Sequence, residues 1–524
     1  MKKYLFTAAL LLTAMAGAAQ ETYENAKIVT EDLNGTARYV GMGGAMDALG
    51  ADISTIGTNP AGIGLFRRST ANVSFGLVSQ QDGQAFAEGK KTNMSFDQAG
   101  FVWSARTGAN TFLNFAFNYH KSRNFDYILS AADRLNGASQ NKLTYVKQFE
   151  GLLFPANSSG VPDPNQPYAS CSQLDYMYAD GWNYNANDNT WYYAPATAYT
   201  LDRAHKGYIG EYDFNLSGNH HDRIYWGLTV GIHDVNYKHY GEYREQLNDP
   251  EINAMQVADE RKIDGTGFDI KAGVIIRPIE ASPFRIGLSV HTPTWYDLTT
   301  SNYTTISDYS NAGANSSFST GNGESYDFKL YTPWRFGLSL GHTVGNYLAL
   351  GASYEFADYG SLDTRYNTGE YYDYWYGTAS TSSASDDVMN RHTEQTLKGV
   401  STLKLGAEYR PIPEFALRVG YNYISPMYEK EGFKDGTLQT DGSYYSSATD
   451  YTNWEATNRF TCGLGYNVGP LTLDVAYQYS AQNGKFAPFM SYENSNLPDL
   501  NNVAQTVDVS NKRHQVLFTL GYKF

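Results

Sequence analysis

The chain has 524 residues, a formal net charge of −15, 18% charged and 15% aromatic residues with 44 Tyr, and two cysteines. The acidic balance argues against nucleic acid as a partner, two cysteines exclude a disulfide framework, and beyond the N-terminal leader no run of roughly 18 apolar residues offers a helical membrane span. Abundant Tyr with sparse charge suits strands in which every second residue meets lipid and aromatics gather at the interfaces.

In chain order, Lys2 and Lys3, the apolar stretch Leu5 to Ala16, and Gly17, Ala18 and Ala19 read as a secretory signal peptide over residues 1–19, cut after Ala18 or Ala19. No Cys stands near the cut to carry a lipid. Residues 20–68 are rich in small residues and not strand-like. Met42, Met46, Leu49, Ile53, Ile56 and Ile63 make this stretch too apolar for a free tail, which predicts a compact hatch.

From residue 69 to 524, fourteen segments alternate apolar and polar residues: 69–79, 95–106, 110–121, 208–218, 222–234, 265–277, 283–291, 333–343, 346–359, 399–410, 414–424, 455–467, 470–481 and 513–524. Each suits a tilted strand crossing an outer membrane, which predicts an all-β, transmembrane antiparallel barrel of about 14 strands with the hatch in its lumen. Joins after even segments are tight turns, such as Gly218-Asn219-His220-His221, Arg410-Pro411-Ile412-Pro413 and Asn467-Val468-Gly469-Pro470, and belong on the periplasmic side. Joins after odd segments are long, above all 122–207, and belong outside. Trp334, Phe336, Leu338 and Leu340 should face lipid while Arg335, Gly337, Ser339 and Gly341 face the lumen, and Leu417, Val419 and Tyr421 likewise oppose Arg418, Gly420 and Asn422. Lumenal charges of both signs (Glu211, Asp213, Asp269, Lys271, Arg285, Glu355, Lys404, Glu408, Arg459, Asp474) should pair with one another or with the hatch. Cys171 and Cys462 read as unpaired. The last segment ends on Phe524, the kind of closing strand that the barrel assembly machinery reads.

The run Ala37-Arg38-Tyr39-Val40-Gly41-Met42-Gly43-Gly44-Ala45, followed by Asp52-Ile53-Ser54-Thr55 and Asn59-Pro60-Ala61-Gly62, resembles the N-terminal hatch of the FadL/TodX family of outer-membrane transporters. The resemblance implies a plugged fourteen-stranded barrel that takes up long-chain fatty acids or small hydrocarbons by passive, hatch-gated diffusion. It places Asn59, Pro60, Ala61 and Gly62 in the part of the hatch that rearranges on ligand arrival. The loops 122–207 and 360–398 depart from it in being longer and more polar than compact hydrophobic lids.

Within this reading Met42, Met46, Arg335 and Arg418 are the ligand-binding candidates. Trp182, Trp191, Tyr192, Tyr193, Trp295 and Tyr296 either collect apolar ligand or anchor loops at the interface. The expected partners are a fatty acid-like molecule, outer-membrane lipid, the barrel assembly machinery during biogenesis, and a possible protein at the extracellular loops.

No cofactor, metal or enzymatic role is expected. The His220-His221 pair is a poor metal site in a solvated turn, no Cys/His zinc spacing occurs, and Gly337-Leu338-Ser339-Leu340-Gly341 matches the nucleophile-elbow pattern without the helix that pattern needs. The competing reading is an outer-membrane shuttle or attachment subunit of the type IX secretion kind, which predicts a sealed lumen beneath an ordered loop surface. A general porin would be obstructed by the hatch, and a TonB-dependent receptor would be larger.

Overall fold

The computed structural model describes residues 21–155, 163, 166–168, 170–185, 187, 189–310, 315–319, 324–373, 378–440 and 444–524. The expected signal peptide over residues 1–19 lies outside the described residues. Fourteen strands form the wall: β1 (Thr70–Gln80), β2 (Thr92–Arg106), β3 (Phe112–Asn124), β4 (Ala196–His220), β5 (Ile224–Leu247), β6 (Ile252–Ile276), β7 (Arg285–His291), β8 (Arg335–Val344), β9 (Leu348–Asp358), β10 (Gly399–Ile412), β11 (Phe415–Ile424), β12 (Tyr451–Val468), β13 (Leu471–Ala487) and β14 (Val507–Lys523). Each pairs antiparallel with the next, and β14 closes on β1 from Thr70↔Lys523 to Gln80↔Arg513. Closure removes the free edges that an open sheet would present to lipid.

Every expected segment coincides with one strand, because alternation marks a wall with lipid on one side and a polar lumen on the other. Phe101, Trp103, Phe115, Phe214, Leu216, Trp226, Leu228, Phe336, Leu338, Leu405, Val419, Leu464 and Phe518 are all exposed and form an outward apolar band. Tyr347, Tyr409, Tyr466, Tyr522 and Phe524 are exposed at its periplasmic end, where aromatic rings bridge lipid and water. The outward set Trp334, Phe336, Leu338 and Leu340 is exposed as expected, while Ser339 and Arg418 are buried inside. The tight turn after β4 falls two residues later than the sequence suggests: β4 runs to His220, and His221 and Asp222 turn with φ of 51° and 57°. Two consecutive left-handed residues suit the right-handed twist of the strands they join, and the strands re-pair at His220↔Ile224.

Several strands outgrow the membrane. β4 and β6 have 25 residues and β5 has 24, more than twice the length needed to cross, so the segment 122–207 is not one loop. Its end is the upper half of β4, and Tyr127–Arg134 pairs with that half from Tyr127↔His205 to Arg134↔Ala198. The reason lies in the hydrophobic phase. Along β5 the outward residues are Trp226, Leu228 and Ile232 up to the membrane edge, then Asp234, Asn236, Lys238, Glu242 and Arg244; the inward residues change from Thr229, Gly231 and His233 to Val235, Tyr237, Tyr243 and Leu247. Above the bilayer the outside is water and the inside is an apolar core, so the pattern inverts by one residue without a break in the strand.

That core packs across the extracellular end of the wall. Leu143, Leu174, Met177, Tyr178 and Trp182 pack on Tyr199, Leu201, Tyr243, Leu247, Phe486 and Phe489. Leu143 belongs to the helix Gln140–Phe149, and Leu174, Met177 and Tyr178 to the helix Gln173–Tyr178. Glu245 is buried here, accepting hydrogen bonds from the Gln140 amide (2.7 Å) and the Tyr243 hydroxyl (2.7 Å). Burial outweighs these bonds and pushes its carboxyl up to about 7.

Residues 21–68 lie within the barrel. Three capped turns shape them, and they explain the motif-like spacing of the sequence. The Thr36 hydroxyl accepts from the Tyr39 amide at the start of helix Ala37–Gly41, Asp52 accepts from the Ser54 amide ahead of the 3₁₀ turn Ile53–Gly57, and Asn59 accepts from the Ala61 amide ahead of Pro60–Leu65. The wall meets this backbone with glycines. A Cβ at Gly351 would stand 1.9 Å from Ala45 O, at Gly406 2.3 Å from Met42 O, at Gly420 2.2 Å from Gly43 N, and at Gly227 2.3 Å from Pro60 O.

Two outcomes follow. Gly406→Val should expel the hatch from its seat while the barrel still closes, read as protease cleavage within residues 21–68 and a raised single-channel conductance; Gly181→Val, whose Cβ would meet nothing within 4 Å, should change neither. For Glu245, the folded state keeps its proton up to about pH 7 and the unfolded chain releases it near pH 4.5, so cap stability falls as pH rises across that window, by an amount on the order of 3 kcal/mol. Limited proteolysis of the cap should therefore run faster at pH 8 than at pH 6, and Glu245→Gln should flatten the difference.

Candidate functional site

Between hatch and cap lies a cavity of about 260 Å³. Its lining divides by chemistry. Tyr23, Phe125, Tyr127, Leu129, Met427, Tyr428 and Trp454 make one part apolar and aromatic, drawn from the first hatch helix, Thr22–Ile28, and from the upper wall and loops. Tyr23 stacks on Tyr428 with centroids 5.3 Å apart, and Tyr127 meets Trp454 edge-on at 5.8 Å. Asp32, Asn34, Tyr39, Ser54, Gly57 and Thr58 of the hatch form a polar part, with Arg123, Arg459 and Arg513 beside it.

Most charges in this cavity are matched one to one. Arg203 makes two 2.7 Å bonds to Asp450, Arg335 lies 2.7 Å from Glu31, and Lys27 lies 2.7 Å from Glu24. The arginine group is different. Arg123 lies 3.1 Å and Arg459 3.5 Å from the same carboxylate, Asp32, while Arg513 donates to the carbonyls of Asn124 and Asp126. The buried Nε atoms of Arg123 and Arg513 have no hydrogen-bond partner. Burial pushes the Asp32 carboxyl up, but the guanidinia of Arg123, Arg513 and Arg459 outweigh it and hold it below the usual carboxylate range. A cluster of three guanidinia around one carboxylate retains positive charge, and guanidinium is suited to a second, incoming carboxylate.

The wall beside this group is parted. β1 and β2 pair up to Ser79↔Thr92, whereas β2 and β3 pair only from Arg106↔Phe112 to Gln98↔His120. Above that point Lys121 to Asn124 of β3 pair with β4 alone, across a register shift between Lys121 and Arg123. The hatch occupies the parting: the Asn34 amide donates to Asp97 Oδ1 (2.9 Å) and to the Lys121 carbonyl (3.0 Å), and the Asp32 amide donates to the Ser122 carbonyl (2.8 Å). Outside, Met94 and Phe96 of the same stretch of β2 are exposed.

The expected site residues fall in different places. Arg335 lines the cavity, paired to Glu31. Met42 and Met46 are fully buried with Leu33, Tyr39, Val40 and Leu49 against Leu517 of the wall, where they hold the hatch together. Arg418 is locked between Glu408 (2.7 Å) and Asp474 (2.5 Å), with Arg38 of the hatch 3.0 Å from the same Glu408. Asn59, Pro60, Ala61 and Gly62 are buried against the wall rather than on the cavity. Asn59 faces Gly273 and Gly287, and its buried Nδ2 has no hydrogen-bond partner.

Of the loop aromatics, Trp182 is buried in the cap with its indole N–H on Asp308 (2.8 Å), Tyr296 is buried beside His233, Trp295 stacks on Phe268 on the outer face, and Tyr192 is exposed. The cavity aromatics come instead from positions with no motif around them. Ser339 sits in mid-strand, paired with Gly287 and Ser353. Cys171 is buried and Cys462 exposed, and both are free.

No family model matches the chain, and no curated protein does. Among solved structures it is similar to the Ralstonia pickettii toluene transporter TbuX (12% identity, TM-score 0.47), a Pseudomonas aeruginosa FadL homologue (13%, 0.48) and the Pseudomonas putida toluene transporter TodX (10%, 0.45), each over 94% of this chain and 99% of the other. At these identities and scores the likeness says nothing of the ligand.

Asp32→Ala is expected to free both the hatch segment 32–34 and the three guanidinia. Hydrogen exchange of the Asp32 to Asn34 amides should speed up, and chloride should be favoured over potassium in the residual conductance relative to wild type.

Proposed function

We propose that this protein carries hydrophobic molecules bearing an acidic head group, of which long-chain fatty acids are the simplest, across the bacterial outer membrane by passive, hatch-gated diffusion. The observation that carries the reading is the two-part cavity directly above the hatch: an aromatic wall for an apolar tail next to two guanidinia, Arg123 and Arg459, that share the Asp32 carboxylate, with a third, Arg513, held beside them by backbone carbonyls. Burying each methylene of a tail contributes roughly 0.8 kcal/mol. The carboxylate adds orientation, because a head paired with Arg123 and Arg459 must compete with Asp32, the residue that ties the hatch to β3. Ligand arrival and hatch release are thereby coupled through one shared set of charges. The parting of β2 from β3, stoppered by Asn34, is the exit in this reading: movement of residues 32–34 opens a path from cavity to lipid without unfolding the wall.

The interaction reading, with a sealed lumen, is less well supported by a molecule that keeps a lined cavity over its hatch. The test uses the whole barrel in mild detergent, titrated with a fluorescent long-chain fatty acid and with the corresponding uncharged alcohol. Arg123→Gln/Arg459→Gln should weaken acid binding at least tenfold and alcohol binding little. In liposomes, Asn34→Cys/Asp97→Cys joined by a short bis-maleimide, which alkylates both thiols, should bind acid but not pass it. A wild-type barrel that binds neither probe, and that co-purifies with a stoichiometric protein, would replace transport by the interaction role.

A further inference from the structure

Below the cavity, four adjacent strands bring six ionisable side chains to one place on the inner wall: His120 of β3, Glu211 and Asp213 of β4, His233 of β5, and Asp269 and Lys271 of β6. They are neighbours by register, since His120 pairs with Glu211, Glu211 with His233, and Gly231 with both Asp213 and Asp269. Gly231 leaves the room that the cluster fills, as a Cβ there would stand 2.3 Å from Asp269 Oδ1.

The three carboxylates are two-faced. Lys271 Nζ bonds Glu211 Oε1, lies 3.0 Å from Asp213 Oδ1 and 3.5 Å from Asp269 Oδ1. Their other oxygens turn to the imidazoles: Glu211 Oε2 is 3.4 Å from His120 Nε2 and 3.9 Å from His233 Nδ1, Asp213 Oδ2 is 3.6 Å from His120 Nδ1, and Asp269 Oδ2 is 3.2 Å from His233 Nε2. Asp213 and His233 are almost wholly buried, yet Asp213 Oδ2 and both ring nitrogens of His233 have no hydrogen-bond partner. Were all three carboxyls ionised and both imidazoles neutral, the single ammonium of Lys271 would leave two negative charges uncompensated. Arg335 and Glu31, charged groups of the same cavity, pair with each other at 2.7 Å. Excess charge of this size is costly inside a protein unless something pairs with it.

We infer that His120, Glu211 and Asp213 bind a first-row divalent metal ion that accepts mixed nitrogen and oxygen ligands, Zn²⁺ or Mn²⁺, with Lys271 holding the carboxylates in position from behind. One ligand atom from each of these residues lies within 4.8 Å of the others, so movements of about an ångström bring them to the 2.0–2.2 Å bonds such an ion makes. An imidazole beside two carboxylates selects against Mg²⁺ and Ca²⁺, which take oxygen alone. One divalent ion balances the cluster's charge, and His120 and Glu211 line the cavity that gives it access. Gly57 of the hatch packs on this spot, its Cβ position 3.5 Å from His120 Cε1 and 3.7 Å from Asp213 Oδ2. The ion therefore stiffens the wall where the hatch rests.

The experiment takes tag-free, EDTA-treated barrel in detergent and dialyses it against Zn²⁺, Mn²⁺ or Ca²⁺, with bound metal counted by mass spectrometry. One Zn²⁺ or Mn²⁺ per barrel is expected and no Ca²⁺, with at least tenfold weaker retention in Asp213→Asn and His120→Asn but not in Asp508→Asn, an exposed carboxylate. A melting temperature of the wild type that rises with Zn²⁺ and not with Ca²⁺ is the second readout and needs no variant. Retention equal in all variants, or a wild type that neither retains Zn²⁺ or Mn²⁺ nor melts higher with Zn²⁺, overturns the site.

Discussion

Backbone laid against backbone is the constraint on which the interior of this barrel depends. A wall of ordinary inward side chains would hold a hatch several ångströms away and leave a water-filled gap. Here glycines at Gly227, Gly351, Gly406 and Gly420 remove that layer, and the hatch carbonyls and amides rest on the strands themselves. The fit is tighter than side chains could make it, since no rotamer needs to be ordered at the contact. It also fixes the height of everything above: once Met42 to Ala45 and Asn59 to Ala61 are seated, the Asp32–Asn34 stretch must reach β3, and the cavity must form over it.

Charge then does what shape alone cannot. The lumen carries acids and bases on every side, and most are spent on one another or on the hatch, as with Glu408 between Arg38 and Arg418. Two places fail to balance, in opposite senses. The Arg123, Arg459 and Arg513 group is short of anions, and the Glu211, Asp213 and Asp269 group is short of cations. Both line or adjoin the same cavity, so a molecule or ion entering it meets an interior that is polarised rather than uniformly polar.

The barrel was legible in the sequence because lipid outside and polar lumen inside impose a two-residue rhythm, and all fourteen crossings show it. The rhythm misleads at the membrane edge. At Ile232 to Val235 the apolar phase passes from the outer to the inner face, and alternation read for a lipid-facing strand stops there although the strand continues to Leu247. The hatch was legible in part, since Asp52-Ile53-Ser54-Thr55 and Asn59-Pro60-Ala61-Gly62 are each a capping residue followed by a short turn. The cavity was not. Its arginines stand on three strands far apart in the chain, and its aromatics are single Tyr, Phe and Trp residues that look like any other interface residue. Glu211, Asp213, Asp269 and Lys271 could be placed in the lumen by parity, but nothing in sequence marks His120 and His233 as their neighbours, because four-strand register sets that adjacency.

The tall upper wall has one more consequence. From Asp234 to Gln246, β5 is hydrogen-bonded on both flanks to β4 and β6, so this side of the rim is sheet rather than loop. A loop of that length could mould itself to many cargoes, losing conformational freedom with each capture. A sheet has little freedom to lose and little ability to adapt. Under the transport reading proposed above, such a rim would work as a fixed gauge, admitting a molecule by its girth and curvature before any charge is read.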